Sequence, residues 1–198
     1  MLLNTSILRI LGACFYYSPD SPAVKSLIPV MPFLVELFPW SDRQQIKQLT
    51  KEIAKQDFEL LYYDFSILFE GQGNMPAPPW GSVYLDPEKI VMGISTQAYQ
   101  YFLSLHSISL ESDQNEPADQ FGLMLLAAVC LLERNKKNIA IELIEQHLLP
   151  WAYRYLSLIQ MTKSEHIFYQ NLAVISEKYL KTIEQQLNLK VPKKQLFY

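Results

Sequence analysis

Apolar residues recur at steps of three and four along most of this chain, and prolines divide these repeats into segments. This spacing places apolar side chains on one face of an α-helix, and no stretch alternates as a half-buried strand does. Glycine, which weakens helices, occurs only six times. The sequence therefore predicts an all-α, single-domain helical bundle. Helices are predicted at residues 3–17, 30–38, 42–53, 58–71, 95–106, 116–134, 138–148, 150–160 and 164–187.

Two of these helices have a capping-box signature at the start. Ser41 is followed three residues later by Gln44, and Thr162 is followed three residues later by Glu165. In such a box the Ser or Thr side chain accepts a backbone N–H of the first turn, and the Glu or Gln reaches back to the cap. The pattern predicts helix starts at both positions.

Length and charge narrow the class of protein. A chain of 198 residues that is 49% hydrophobic is long enough for one core, and we predict one domain over residues 1–198. Residues 188–198 are predicted to be a basic, partly ordered tail. The net charge of −3 argues against nucleic-acid binding.

The cysteine content and the hydropathy pattern indicate a compartment. The two cysteines have no metal-ligand or disulfide-framework spacing. The N-terminal apolar stretch contains Arg9 and has no basic leading region, which is untypical of a signal peptide. Polar residues interrupt the uncharged stretch 90–110, so a membrane-spanning helix is not predicted. We therefore expect a soluble, cytoplasmic protein.

A proline-rich segment at residues 76–86, PAPPWGSVYLD, separates two helical halves of the chain. Each proline fixes its own φ and pushes the preceding residue towards extended geometry. The pattern predicts a stiff loop that is presented to a partner, with Trp80 at its tip. The alternative is that the prolines brace an aromatic residue which closes the core.

An acidic cluster, NEPADQFG at residues 115–122, precedes a long apolar run. With Asn115 as a cap and a proline in the first turn, Glu116, Asp119 and Gln120 would lie at i, i+3 and i+4 on one helical face. Acidic residues favour helix N-termini for electrostatic reasons alone. The alternative is that the two carboxylates receive a guanidinium from a partner, in a paired hydrogen-bonding geometry.

Motifs for catalysis are largely missing from the sequence. It contains no phosphate-binding glycine loop, no HExxH zinc motif and no Cys/His pair at metal-ligand spacing, so no metal or cofactor is predicted. His147 is expected to order a helix junction. The alternative is a hydrolase that uses Glu116 and Asp119 as its acid and base. That chemistry requires a nucleophile near the two carboxylates, and the sequence shows none. We expect a binding protein and not an enzyme.

These motifs, in this order, resemble the TorD/DmsD family of redox enzyme maturation chaperones. The resemblance rests on DFSILFEG at residues 64–71, the proline-rich segment, the acidic cluster, and EQHLLPW at residues 145–151. It is closest to the DmsD branch. It implies an all-helical cytoplasmic chaperone of the twin-arginine (Tat) export pathway, which binds the twin-arginine leader of a molybdopterin-dependent reductase, of the dimethyl sulfoxide reductase type, until its cofactor is inserted.

The resemblance also implies which residues bind the leader. They are Phe65, Leu68, Phe69, Pro78, Pro79, Trp80, Ser82, Glu116, Asp119 and Gln120.

The chain departs from the family pattern at two positions. Gln120 stands where the family usually has His, and an amide lacks the pH-dependent charge that a protonation-linked release step at this position requires. Gly73 stands where the DmsD branch can carry Trp.

Several alternatives stay open from the sequence. One alternative is a chaperone of this family that recognises the body of another metalloenzyme instead of a leader. The Tat translocase and cofactor-insertion proteins are further possible partners. The client, the binding of any nucleotide, and the choice between a monomer and a domain-swapped dimer are not decided by these residues.

Overall fold

The computed structural model describes residues 3–55, 57–71, 75–109, 116–163 and 167–198. Within these ranges the chain is helical, and its one β-type pairing is an isolated antiparallel bridge between Trp80 and Gln120. The prediction of an all-α fold is confirmed. The helices are α1 (Thr5–Tyr16), α2 (Pro22–Leu27), α3 (Arg43–Ile53), α4 (Phe58–Phe69), α5 (Gly81–Leu85), α6 (Ile94–Leu105), α7 (Phe121–Glu133), α8 (Lys137–Glu142), α9 (Leu149–Gln160) and α10 (Phe168–Gln186), with a 3-10 helix at Ile28–Glu36 and a π-helix at Leu143–Leu148.

The start of α3 differs by one residue from the prediction. Its cap is Asp42 and not Ser41, because the Asp42 carboxylate accepts the N–H of Gln45 at 3.0 Å. Both residue types cap helices well, but a carboxylate also interacts favourably with the positive end of the helix dipole. The second predicted capping box lies partly outside the described residues, and α10 is assigned from Phe168 onwards.

Helix α7 lies against α1 at the centre of the molecule, and both are buried over most of their length. Two glycines allow this close approach. A Cβ atom added at Gly122 would stand 2.6 Å from the carbonyl oxygen of Gly12, and one added at Gly12 would stand 3.0 Å from that of Gly122. Since real Cβ atoms do not approach so closely, larger residues at these positions would force the two helices apart.

The helices predicted at 138–148 and 150–160 form one nearly continuous rod. The π-helix joins α8 to α9, and Pro150 sits in the first turn of α9, where its missing N–H leaves no bond unmade. The indole N–H of Trp151 donates to the carbonyl oxygen of His147 at 3.0 Å. The expectation that His147 orders a helix junction is therefore met by its main chain.

A single cluster of buried apolar residues extends from Leu3 to Ile183 and includes several aromatic side chains. Phe15 contacts Phe121 edge-on at 5.0 Å, and Phe121 contacts Tyr155 at 4.9 Å between ring centroids. No helix in the described part of the chain is long and apolar enough to cross a membrane. The resulting core holds the proline-rich segment and the start of α7 side by side.

Candidate functional site

The proline-rich segment and the acidic cluster are joined by backbone hydrogen bonds. The N–H of Phe121 donates to the carbonyl oxygen of Pro79 at 2.8 Å, and the N–H of Gly81 donates to that of Asp119 at 3.1 Å. These bonds flank the bridge between Trp80 and Gln120. The fold therefore brings the two segments together.

The proline-rich segment is not a presented loop, contrary to the expectation. Pro78 and Pro79 are buried, and Trp80 is half-buried instead of standing at an exposed tip. The hydroxyl of Tyr84 donates to the carbonyl oxygen of Pro78 at 2.8 Å. Prolines suit this buried course, because they bring apolar surface and no N–H that would need a partner.

The acidic cluster does not form a helical face either. Helix α7 begins at Phe121 with Gln120 as its cap, so Glu116 and Asp119 lie in the turn before the helix, and Asn115 lies outside the described residues. The Gln120 side chain accepts the N–H of Leu123 at 2.9 Å and donates to the carbonyl oxygen of Phe15 at 2.8 Å. Both the oxygen and the nitrogen of this amide therefore help to fix the start of α7 against α1.

Asp119 is the central buried charge of the site, with only 3% of its surface exposed. Its Oδ2 accepts the N–H of Ser82 at 2.7 Å and the hydroxyl of Thr96 at 2.9 Å. Its Oδ1 is buried and has no hydrogen-bond partner within the described residues. Burial raises the pKa of the Asp119 carboxyl, and the hydrogen bonds from Ser82 and Thr96 oppose that rise.

Glu116 lies beside Trp80, whose indole N–H donates to a carboxylate oxygen of Glu116. The side chain is half-buried. Burial raises the pKa of Glu116 most strongly, the hydrogen bond from Trp80 lowers it, and the charge of Asp119 raises it again. The two carboxylates are therefore close enough to interact, as the sequence predicted, although they are not on one helix.

A cavity of about 60 Å³ adjoins Asp119; we call it the carboxylate cavity. Its lining residues are Gly81, Leu85, Ser95, Ala98, Tyr99, Asp119, Met124, Gln146, His147, Trp151 and Lys194. The hydroxyl of Tyr99 is also buried and has no hydrogen-bond partner in the described part of the chain. The cavity is thus lined by both polar and aromatic side chains, and the Asp119 carboxylate and Tyr99 hydroxyl are incompletely satisfied.

Gly81 keeps this cavity open. A Cβ atom at this position would lie 2.9 Å from the indole nitrogen of Trp151 and 3.5 Å from Oδ2 of Asp119. His147 packs against Tyr99 with ring centroids 5.3 Å apart. Burial and the charge of Lys194 lower the pKa of His147 to about 4, so the imidazole is neutral at pH 7.

The three apolar residues predicted on α4 do not line the carboxylate cavity. Phe65 and Leu68 are buried, and Phe69 is half-buried. Phe69 packs edge-on against Phe15 at 6.2 Å. Since the carbonyl oxygen of Phe15 also accepts the hydrogen bond from Gln120, Phe69 connects α4 to the site through the core.

Sequence reasoning missed several site residues. Thr96 and Tyr99 lie on α6, and Lys194 lies in the C-terminal tail, far from both motifs along the chain. Helix α6 also carries three exposed apolar side chains on one stripe, Ile94, Tyr101 and Leu105, which are 73%, 65% and 61% exposed. The sequence shows their spacing of seven and four residues, but the same spacing is typical of a helix face that is buried in the core.

No group of three or more His, Cys, Asp or Glu side chains within the described ranges is arranged to hold a metal ion. The site instead offers carboxylate oxygens, aromatic rings and a small space between them. Such a set suits a cationic group with several N–H donors.

Comparison with known proteins identifies the family. The family described as nitrate reductase delta subunit matches residues 38–157. The chain belongs to this family. It is 36% identical over 188 residues to the probable Tat proofreading chaperone DmsD of Haemophilus influenzae, which covers 93% of this chain and 91% of that protein.

Two further relatives agree with this assignment. The chain is 34% identical over 190 residues to the Tat proofreading chaperone DmsD of Salmonella typhimurium, covering 96% of this chain and 93% of that protein. It is 29% identical over 106 residues to the chaperone protein TorD of Actinobacillus succinogenes, covering 54% of each chain. The resemblance to the TorD/DmsD family is confirmed. The chain is therefore a member of a chaperone family and not of an enzyme family.

Proposed function

We propose that this protein is a cytoplasmic chaperone that binds the twin-arginine leader of a molybdopterin-dependent reductase and holds it until the cofactor is inserted. The dimethyl sulfoxide reductase type of client fits the relatives named DmsD. The observation that supports the proposal most directly is the buried Asp119 carboxylate. Its Oδ1 has no hydrogen-bond partner in the described residues, and Asp119 lines a cavity beside the proline-rich segment.

A guanidinium matches this cavity chemically. It has five N–H donors in a planar fork, and it pairs with carboxylates more strongly than neutral donors do. Because Asp119 is shielded from water, the attraction between the two charges is stronger there than at a water-exposed surface. One leader arginine would supply the positive charge that the buried carboxylate lacks.

The other predicted residues fall into two groups in this proposal. Trp80 and Glu116 are half-buried beside Asp119 and would contact the leader directly. Ser82 and Gln120 would act by positioning, since one donates to Asp119 and the other caps α7. Pro78 and Pro79 would hold the segment in place. Phe65, Leu68 and Phe69 would contact a leader only if α4 shifted, because their side chains belong to the core.

Calorimetric titration with a twin-arginine leader peptide tests the proposal. Asp119→Asn should weaken binding about 30-fold or more, because truncating one partner of a buried charge pair costs about 2–5 kcal/mol. Asp86→Asn is the matched control, since Asp86 is also buried and accepts the N–H and hydroxyl of Ser95 but does not line the cavity. No binding, or equal binding of a peptide with both arginines replaced by alanine, would rule out the proposal.

The alternative is recognition of the client's body. The exposed stripe of Ile94, Tyr101 and Leu105 on α6 favours it, since large exposed apolar patches often mark binding surfaces. Co-purification with a leader-deleted client distinguishes the two. Capture that survives leader deletion and is lost in Tyr101→Ser would support the alternative.

A further inference from the structure

The C-terminal segment, residues 191–198, lies across the proline-rich side of the site. The N–H of Phe197 donates to the carbonyl oxygen of Tyr84 at 2.9 Å. The ring of Tyr198 packs edge-on against Tyr84 at 5.5 Å, and its hydroxyl donates to the carbonyl oxygen of Met75 at 3.1 Å. Arg154 donates to the main-chain oxygen of Tyr198 at 3.0 Å. The segment is therefore bound as a short extended peptide would be.

The same segment brings a positive charge to the carboxylate cavity. Lys194 is one of the cavity's lining residues, and its charge helps to lower the pKa of His147. Residues 191–198 contain two adjacent lysines and no acidic residue. A cationic peptide thus lies next to Asp119, although Oδ1 of Asp119 has no bond from any described group.

Cationic and apolar residues follow one another in this segment in the same order as in the proposed ligand. Lys193 and Lys194 form a cationic pair, and Leu196 and Phe197 follow as an apolar pair. A twin-arginine leader likewise presents paired cations before an apolar stretch. We propose that the C-terminal segment is an internal competitor, which covers Tyr84 and one side of the carboxylate cavity, together called the groove, until a leader displaces it. This inference rests on the proposed function.

The contacts suit displacement. Lys193, Lys194, Gln195 and Leu196 are exposed, so displacement has to break mainly the contacts of the half-buried Phe197 and Tyr198. An ammonium is a compact and strongly hydrated charge, whereas a guanidinium binds a carboxylate through a planar fork. An arginine peptide therefore has bonds to gain at Asp119 that Lys194 leaves unmade.

Competition of this kind lowers the apparent affinity for the leader by the fraction of molecules in which the groove is open. If the segment covers the groove in about nine of ten molecules, weakening it raises the apparent affinity by up to about tenfold. Lys193→Ala/Lys194→Ala should therefore bind a twin-arginine leader peptide about threefold to tenfold more tightly than the native chain.

The control is Lys47→Ala/Lys51→Ala on α3, which changes the net charge equally and leaves the segment intact. Calorimetry on all three proteins separates the outcomes. Tighter binding in the segment variant alone supports the inference. Equal changes in both variants, or no change, overturn it while leader binding stands. If neither the native chain nor the segment variant binds the leader, the proposed function itself fails, and this inference fails with it.

Hydrogen exchange provides a second readout. Saturating leader should speed exchange of the Phe197 amide, because its bond to Tyr84 must break, while the Leu123 amide, bonded to Gln120, keeps its protection. Bound leader with an unchanged Phe197 amide would overturn the inference.

Discussion

Asp119 accepts the backbone N–H of Ser82 at 2.7 Å, although the two residues stand 37 positions apart in the chain. This bond fixes the first turn of α5 to the turn before α7, and the hydroxyl of Thr96 adds α6 to the same carboxylate oxygen. One oxygen of Asp119 therefore serves the fold, while the other is buried without a hydrogen-bond partner in the described chain. Structural and binding effects of Asp119 variants should be separable.

Asp119→Asn should retain a stability close to that of the native protein, whereas Asp119→Ala should not. Asparagine keeps an acceptor for the Ser82 N–H and removes a charge that burial disfavours, so we expect a change of about 1 kcal/mol or less. Alanine leaves the Ser82 N–H and the Thr96 hydroxyl without an acceptor, and should cost about 1–3 kcal/mol. Urea unfolding at pH 7 measures both; equal losses in the two variants would contradict this account.

Leader binding should release protons at mildly acidic pH. The pKa of Asp119 is raised in the free protein, and a neighbouring guanidinium favours the charged carboxylate, so binding lowers this pKa again. The affinity should therefore rise as pH increases from the lowered pKa of Asp119 in the complex to its raised pKa in the free protein. Calorimetry at pH 5 in two buffers of different ionisation enthalpy counts the protons. Asp119→Asn should abolish much of the difference in binding enthalpy between the two buffers. A native protein that gives the same binding enthalpy in both buffers would refute the mechanism.

The pH dependence of folding should show the half-buried His147. Its folded pKa of about 4 lies below the ordinary value of 6.5, so its neutral form contributes stability that is fully present above pH 6.5. That contribution is lost as pH falls from 6.5 through about 4. His147→Gln should flatten the fall in urea midpoint between pH 7.5 and 4.5. His106→Gln, which alters another histidine packed on Phe102, is the control, and an equally flat profile in it would contradict the assignment.

Local patterns predicted the helices well because apolar spacing within a helix depends on neighbours three and four residues away. Thus α1 and α10 fall close to their predicted ranges. The start of α7 was missed because Gln120 caps it only when its amide also reaches Phe15 on another helix. Such a tertiary bond overrides the preference for Asn, Asp or Ser at caps, and it leaves no trace in the local sequence.

The sequence predicted the two motifs of the site, but not that the proline-rich segment is buried or which other residues line the cavity. Pro78 and Pro79 looked like a presented loop because proline stiffness says nothing about which side faces solvent. The carboxylate cavity is lined by residues of α5, α6, the turn before α7, α7 itself, the π-helix, α9 and the C-terminal segment. Tyr99 and Lys194 enter it from positions that only the tertiary fold brings near Asp119.

Gln120→His should make the free energy of unfolding depend on pH through residue 120, which the native amide does not. A neutral imidazole can accept the N–H of Leu123 and donate to Phe15, as the amide does, so stability at pH 8 should fall by about 1 kcal/mol or less. An imidazolium has no acceptor, and the cap bond is then lost. Urea midpoints at pH 8 and 5.5 should diverge more in Gln120→His than in Gln120→Ala, which lacks the cap at both pH values.

Trp80→Phe tests whether the indole N–H or the ring surface of Trp80 matters to the site. Phenylalanine keeps an aromatic side chain but removes the donor to Glu116, so the carboxylate loses one hydrogen bond that lowers its pKa. The pKa of Glu116 should therefore rise further, and leader affinity at pH 5.5 should fall more than at pH 8, because a larger fraction of Glu116 is protonated at the lower pH. Trp80→Ala should weaken binding at both pH values, since the ring is lost as well. Trp40→Phe, at a buried indole that donates to Leu34, is the control for loss of an indole N–H elsewhere. If Trp80→Phe and Trp40→Phe give the same pH profile of leader affinity, the bond between Trp80 and Glu116 has no part in recognition.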